Sequence, residues 1–266
     1  MSIDDAISNM VTRIKDLEGR SKVTPIDLDT LQALVTKYYT GAINISDYFK
    51  VGDIISNVTL SNGSLNEIVD LVVIGIQHDS INSTESKAAL TLSQLNCLSS
   101  GRAMNSSQYG YTYAKYSTSE LRTWINDTYY NALPSTLQSL IKTVDKTTAE
   151  PASSSEHPTT TIVSSTEKCF IPSCYEMFGT VHTYTSSSKT CGVNVSDGTQ
   201  YEYYKITNNR LKYYGRNGTT FSYPWTRSGC VSLNGNDYFV HVYSDGSANI
   251  CYGASNSYGV CPAFCI

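Results

Sequence analysis

The chain has 266 residues, 16% of them charged, and a formal net charge of −4. A hydrophobic content of 40% excludes the core-poor, strongly charged pattern of disorder, and the lack of any basic run excludes a phosphate-neutralising nucleic-acid surface. No run approaches the roughly 20 apolar residues of a membrane span, and the acidic start Met1-Ser2-Ile3-Asp4-Asp5 does not read as a secretory leader, so neither membrane insertion nor a signal peptide is expected.

Ile3, Ile7, Met10, Ile14 and Leu17 recur at alternating steps of four and three, an a/d seam closed by Gly19. About two heptads are too short to be stable alone. The spacing predicts a short oligomerising helix over residues 1–20, or else an amphipathic helix docked on its own domain. Isoleucine at several seam positions favours more than two strands, so self-association as a homotrimer is expected. Thr24-Pro25-Ile26-Asp27-Leu28 opens a second helix with Pro25 just inside its start, and Leu28, Leu31, Leu34 and Val35 keep helical spacing as far as Tyr38-Tyr39. Residues 21–47 read as a helical linker to a domain at 48–266.

Ile54 to Leu60 and Ile68 to Ile76 flank Ser61-Asn62-Gly63, a strong hairpin signal, and Leu71-Val72-Val73-Ile74 reads as a buried strand. Ser119 to Asn126 predicts a helix with Leu121, Trp124 and Ile125 on one face. Pro134 to Val144 predicts another, with Leu137, Leu140, Ile141 and Val144 together. Ala149 to Ser165 reads as a polar loop, and Phe170 to Gly179 as an apolar element with a turn. From Tyr213 onward short strands alternate with turns at Asn217-Gly218, Asn234-Gly235 and Asp245-Gly246. Helices early and irregular strands late make the fold class α+β.

The eight cysteines form no Cys-x-x-Cys pair and are joined by no paired histidines, so zinc is not expected. They read as reduced, small core residues. Strand alternation would put Cys261 and Cys265 on one face, with thiols favoured over a disulfide.

The aromatic load is 21 Tyr against 6 Phe and 2 Trp, which suits surfaces that are both wet and adhesive. Between Trp225-Thr226-Arg227-Ser228 and Gly259-Val260-Cys261-Pro262-Ala263-Phe264, tyrosine, asparagine, serine and glycine alternate as they do in antibody contact loops. Two readings compete: a ligand-displaying surface, and an all-β region with Tyr-rich strands and Asn/Gly turns. On the first, the candidate ligand-binding residues are Tyr223, Asn234, Asn236, Tyr238, His241, Tyr243, Tyr252, Asn256 and Tyr258, expected as one exposed patch. His241 alternates with Val240 and Val242, so inward valines would leave it exposed beside Phe239 and Tyr243. Trp225 reads as core and Arg227 as a buried donor to loop carbonyls. His78-Asp79 has the order of a dyad, but no nucleophile motif accompanies it, and a turn at a strand end accounts for it better. No catalytic residue is assigned, and the chain is not expected to be an enzyme.

An ordered set of segments carries a resemblance. It runs Val51-Gly52-Asp53, Ile74-Gly75-Ile76-Gln77-His78-Asp79, Met104-Asn105, Ser119-Glu120-Leu121-Arg122, Leu133-Pro134, Phe170-Ile171-Pro172-Ser173 with Glu176 and Phe178-Gly179, and Tyr201-Glu202-Tyr203-Tyr204, then the two end motifs above. Over residues 48–266 the chain resembles an uncharacterised domain of phage and prophage structural proteins. That domain is itself similar to C-type-lectin-fold proteins, including retroelement-diversified variable tropism proteins. The resemblance implies a C-type-lectin-like fold with variable side chains near the C-terminus on a scaffold of fixed residues. It implies a receptor-binding or host-attachment protein of a phage tail fibre or tail tip, located in the virion. Its partners would be a host cell-surface receptor, protein or glycan, and other tail proteins through the N-terminus. A lectin-like binding or decoration module on a bacterial or virion surface is the alternative. Lectin-type calcium would need clustered oxygens, for which Asn234, Asn236, Asp237 and Asp245 are the available set; no Glu-Pro-Asn triplet is present, and no metal or cofactor is assigned. The cysteine-modifying copper oxidase chemistry found on the lectin fold would need a close reactive pair, and only Cys261 and Cys265 offer one.

Overall fold

A computed structural model describes residues 26–266 apart from 64, 83–85, 108–109, 187–188 and 233–236. The seam from Ile3 to Leu17 lies outside the described residues. Helix α1 (Leu28–Tyr39) is capped by Asp27, whose side chain accepts the Thr30 N–H; Pro25, read as just inside the helix start, lies outside the described residues. Leu31, Leu34 and Val35 enter the main core, and Tyr39 Oη accepts the Ala89 N–H. The described part of the segment read as a linker is therefore not a spacer: it is packed into the domain.

The hairpin forms as read. Strands β1 (Ile54–Asn62) and β2 (Leu65–Ile76) pair antiparallel, with Asn62 opposite Leu65 and a left-handed Gly63 between them. With β3 (Leu90–Gln94), β6 (Cys169–Phe170) and β12 (Ala263–Cys265) they make a five-stranded sheet in the order β1-β2-β3-β12-β6. The end of the chain thus returns to the interior of the sheet, where Phe264 faces Leu92 on one side and Cys169 on the other. The centre of this sheet is covered on both faces. Leu71, Val73, Leu92 and Phe264 meet the helices, whereas Val72, Ile74, Ala263 and Cys265 meet the second core. That is why Leu71 to Ile74 is apolar without alternation.

The helical layer combines α1 with α2 (Glu120–Trp124), capped by Ser119, a π-turn at Ile125–Tyr129, and α3 (Ser135–Leu140). The predicted helix from Pro134 to Val144 stops at Leu140, and Val144 opens strand β4 (Val144–Ala149) instead. Its partner β5 (Ile162–Glu167) starts inside what reads as a polar loop. The rest of that loop is tied by Glu156, whose carboxylate accepts the N–H groups of Ala152, Thr160 and Thr161. On the other face, α4 (Cys174–Phe178) carries a capping box between Ser173 and Glu176 and ends at left-handed Gly179.

The remaining strands are the hairpin β7 (His182–Ser186) and β8 (Lys189–Val193), and a three-stranded sheet β11-β10-β9 made of β9 (Trp225–Val231), β10 (Asp237–Val242) and β11 (Ala248–Gly253). The named strands pair antiparallel, and the fold is α+β. Among the described residues no helix is long and apolar enough to cross a membrane.

Candidate functional site

Strand β10 is covered on both faces. Tyr238, Val240 and Val242 pack into the second core, while Phe239 belongs to the first. The alternation places His241 opposite the valines as read, but the expected exposure is wrong: His241 is fully buried. What covers it is aromatic. Its ring lies nearly parallel to Tyr258 (12°, centroids 5.5 Å apart) and edge-on to Tyr252 at 4.9 Å and Trp225 at 6.1 Å.

The cluster extends outward from His241. Tyr223 lies 5.8 Å from Tyr243 and 5.7 Å from Tyr258, and Tyr252 lies 5.0 Å from Tyr258. Tyr243 is 38% exposed, and Tyr223, Tyr252 and Tyr258 are half-buried. The site is thus four part-exposed tyrosines around a buried histidine, with Trp225 beneath. Trp225 Nε1 donates to the Arg102 carbonyl at 2.9 Å, which fixes the indole as scaffold.

Two backbone features hold the rings together. Gly259 N–H donates to the Ser222 carbonyl at 2.7 Å, and a Cβ at 259 would meet Ser222 atoms at 2.7 Å, so only glycine lets the 258–260 segment cross so closely. Tyr223 has a φ of 48°, a left-handed conformation that a bulky residue rarely adopts. Strain of this kind, on the order of 1–3 kcal/mol, persists where surrounding structure over-determines it and concentrates at functional sites.

Five of the nine sequence-derived residues therefore meet: Tyr223, His241, Tyr243, Tyr252 and Tyr258. Tyr238 does not join them, because strand alternation turns it to the second core. Asn256 is half-buried and donates to the Gly253 carbonyl at 3.0 Å, the work of a turn residue. Asn234 and Asn236 lie outside the described residues. Of the calcium set, Asp237 is buried and accepts the Tyr113 N–H, while Asp245 closes its own exposed turn by accepting the Ser247 N–H. The sequence reading missed Tyr213 and Phe221, whose rings continue the cluster at 6.1 and 4.8 Å steps to Tyr223. Aromatic residues on both sides of Asn217-Gly218 were the available signal.

Burial pushes the His241 pKa down to about 4, against a smaller opposing pull from the Phe239 backbone. Its ordinary value is about 6.5. Between these values the unfolded chain binds more protons than the folded one, so stability falls as pH drops from about 6.5 towards about 4, by about 3 kcal/mol at most. Melting curves at pH 7, 5.5 and 4.5 should show this slope, and His241→Phe, which suits an aromatic surround, should flatten it. An unchanged slope in that variant would assign the acid sensitivity elsewhere.

A second polar cluster is fully internal. Lys146 Nζ contacts Asp79 Oδ1 at 2.5 Å, Glu176 Oε1 at 2.8 Å and Tyr201 Oη at 2.7 Å. Arg227 grips both oxygens of Glu176 at 2.6 and 2.9 Å and donates to the carbonyls of Thr147, Ile171 and Asp197. Burial alone would raise the Asp79 and Glu176 pKa values, but Lys146, with His78, holds Asp79 well below the ordinary carboxylate range, and Arg227, with Lys146, holds Glu176 below it. Asp79 belongs to this network, and its Oδ2 also accepts from Thr91 and Tyr201. Each oxygen of Asp79 and Glu176 is already engaged and Arg227 is saturated, so the network has no free position for a substrate and acts as scaffold.

A family model described as a domain of unknown function, DUF6273, matches residues 85–266. The chain belongs to this family. The DUF6273 match takes in β3 through β12, and so the whole aromatic cluster and the buried ion network apart from Asp79. Comparisons with curated proteins and with solved structures gave no match.

Proposed function

We propose that this DUF6273 chain is a ligand-displaying attachment protein with a C-type-lectin-like fold: a phage receptor-binding protein of a tail fibre or tail tip that contacts a protein or glycan on the host cell. The observation that carries this reading is the run of part-exposed tyrosines built around strand β10, whose two faces are covered. Tyrosine supplies stiff, amphipathic contact area at low entropic cost, and a rigid base keeps that area preorganised. The return of β12 to the interior of the main sheet supports the lectin-like part, because both ends of the 225–264 segment are pinned while its middle carries the rings. Retroelement diversification of that middle belongs to the same proposal.

The test is binding of labelled full-length protein to bacterial cells and to arrays of cell-surface glycans and proteins. Tyr243→Ala should weaken binding roughly tenfold or more if Tyr243 anchors the ligand. Ile68→Ala, at a still more exposed apolar position on the β1–β2 hairpin, should leave it unchanged. Equal effects from both, or none from Tyr243, would remove the display reading.

The homotrimer rests on the N-terminal seam. Because α1 is part of the core, the shortened protein for comparison is 26–266 rather than one starting at Tyr48. Light scattering should give a trimer for the full chain and a monomer for 26–266. Monomers in both would end the proposal that the seam oligomerises.

A further inference from the structure

Backbone register brings Cys97 and Cys261 together. Leu98 N–H donates to the Val260 carbonyl at 3.0 Å, and Gln94 N–H donates to the Pro262 carbonyl at 3.0 Å. In an antiparallel pairing the first bond sets Cys97 directly opposite Cys261 at a non-hydrogen-bonded position, where facing Cβ atoms come about 4.5 Å apart. The other bond that would flank this position cannot form, because residue 262 is proline and has no N–H. A Cβ separation of about 4.5 Å lies at the upper edge of what a disulfide spans. The two thiols are free, buried and within hydrogen-bonding reach of each other.

A cation sits beside them. Lys212 Nζ donates to the carbonyls of Leu95 at 2.8 Å and Gln94 at 3.4 Å, and Cys261 Sγ donates to the same Gln94 carbonyl at 2.9 Å. Lys212 is 1% exposed, and among the described residues no carboxylate lies within ion-pair distance of it. Its remaining neighbours are the faces of Tyr203 and Tyr204. A buried ammonium surrounded by carbonyls and rings favours an anion within reach, and the thiols are the groups that can supply one. Burial would raise the Cys261 pKa, but the Cys97 hydrogen bond and the Lys212 charge bring it down to about 7. Burial, then Cys261 itself, push Cys97 well above its ordinary value. One thiol is thus set to ionise while its neighbour stays protonated. A small cleft lined by Val69, Asp70, Leu95, Asn96, Cys97 and Arg216 reaches Cys97, whose thiol lies against that of Cys261. It suits a molecule of water's size and not a bulky disulfide.

We propose that Cys97 and Cys261 form a peroxide-responsive thiol pair that closes to a disulfide. The Cys261 thiolate attacks one oxygen of hydrogen peroxide. The O–O bond breaks, the sulfur becomes a sulfenic acid, and the departing hydroxide takes up the proton that Cys261 had released, forming water. The Cys97 sulfur then attacks the sulfenic sulfur. The S–O bond breaks, the S–S bond forms, and the hydroxyl leaves with the Cys97 proton as a second water. Two thiols and one peroxide give one disulfide and two waters. The crosslink staples the segment that carries Tyr258 and Gly259 to the stretch after β3.

Folded full-length protein would be treated with a few equivalents of hydrogen peroxide at pH 7, quenched with catalase, alkylated after unfolding and peptide-mapped. The expected product has lost two hydrogens, joins the Cys97 and Cys261 peptides and reverts with dithiothreitol. Lys212→Met should slow the reaction roughly tenfold by returning Cys261 towards an ordinary thiol. Cys97→Ser should stop at a sulfenic acid on Cys261 that dimedone traps. Circular dichroism checks that each variant is folded, and the wild-type map stands without the variants. If both thiols remain alkylatable in the wild type, or if the first disulfide joins other cysteines, the proposal is overturned.

Discussion

Arg227→Met should destabilise the protein by about 3–5 kcal/mol, because it removes one partner of a buried ion pair and leaves the other charge behind. The guanidinium is fully buried and holds both oxygens of Glu176 as well as three backbone carbonyls. With it gone, Glu176 keeps Lys146 and the Ser173 N–H, and the carbonyls of Thr147, Ile171 and Asp197 lose a donor. Against a typical domain stability of about 5–15 kcal/mol this is a large fraction. Urea unfolding at pH 7 measures it, and a loss below about 1 kcal/mol would show that the network is not what holds this part of the fold. The loss should also shrink with acid. Glu176 has a folded pKa below its unfolded value, so its contribution is present above about pH 4 and disappears as pH falls through the folded value. In the variant the carboxyl protonates more readily, and the two proteins should converge at low pH.

The same network explains what the sequence concealed. Val144, Lys146 and Thr148 alternate inward along β4, but a lysine and a threonine among the inward residues do not read as a buried strand. Lys146 is inside because Asp79 and Glu176, distant in sequence, meet it there. Local signals were enough elsewhere. Asn62-Gly63 marked the hairpin, a helix follows Ser119, and Trp225 and Arg227 are buried as their types and surroundings implied. For the candidate site, alternation gave the direction of His241 but not what lies over it. That depends on Tyr258 crossing near Tyr223 through Gly259, a contact between segments that no periodicity encodes. The tyrosines were legible as a set, whereas the exclusion of Tyr238 required knowing that β10 is covered on both faces.

Phe264→Ala should cost about 3–5 kcal/mol, while Tyr243→Ala should change stability by no more than about 0.5 kcal/mol. Phe264 is fully buried in the last strand, paired with Leu92 and Cys169, and its side chain lies in the core shared with the helices. Truncation there leaves a cavity that strands fixed on both sides cannot close. Tyr243 stands at the outer edge of the ring cluster with 38% of its surface exposed. Tyr252 and Tyr238 are poorer choices for the contrast, because both are half-buried against the cores and their truncation mixes lost packing with lost contact. Melting curves and binding measured on the same two variants separate scaffold from contact surface. The Phe264 variant should melt earlier by about 2–4 °C per kcal/mol, the sensitivity of a domain this size. The Tyr243 variant should melt with the wild type and lose binding. If Tyr243→Ala destabilises as much as Phe264→Ala, the tyrosines are part of the core, and the cluster around His241 exists to hold the C-terminal segment down rather than to meet a ligand.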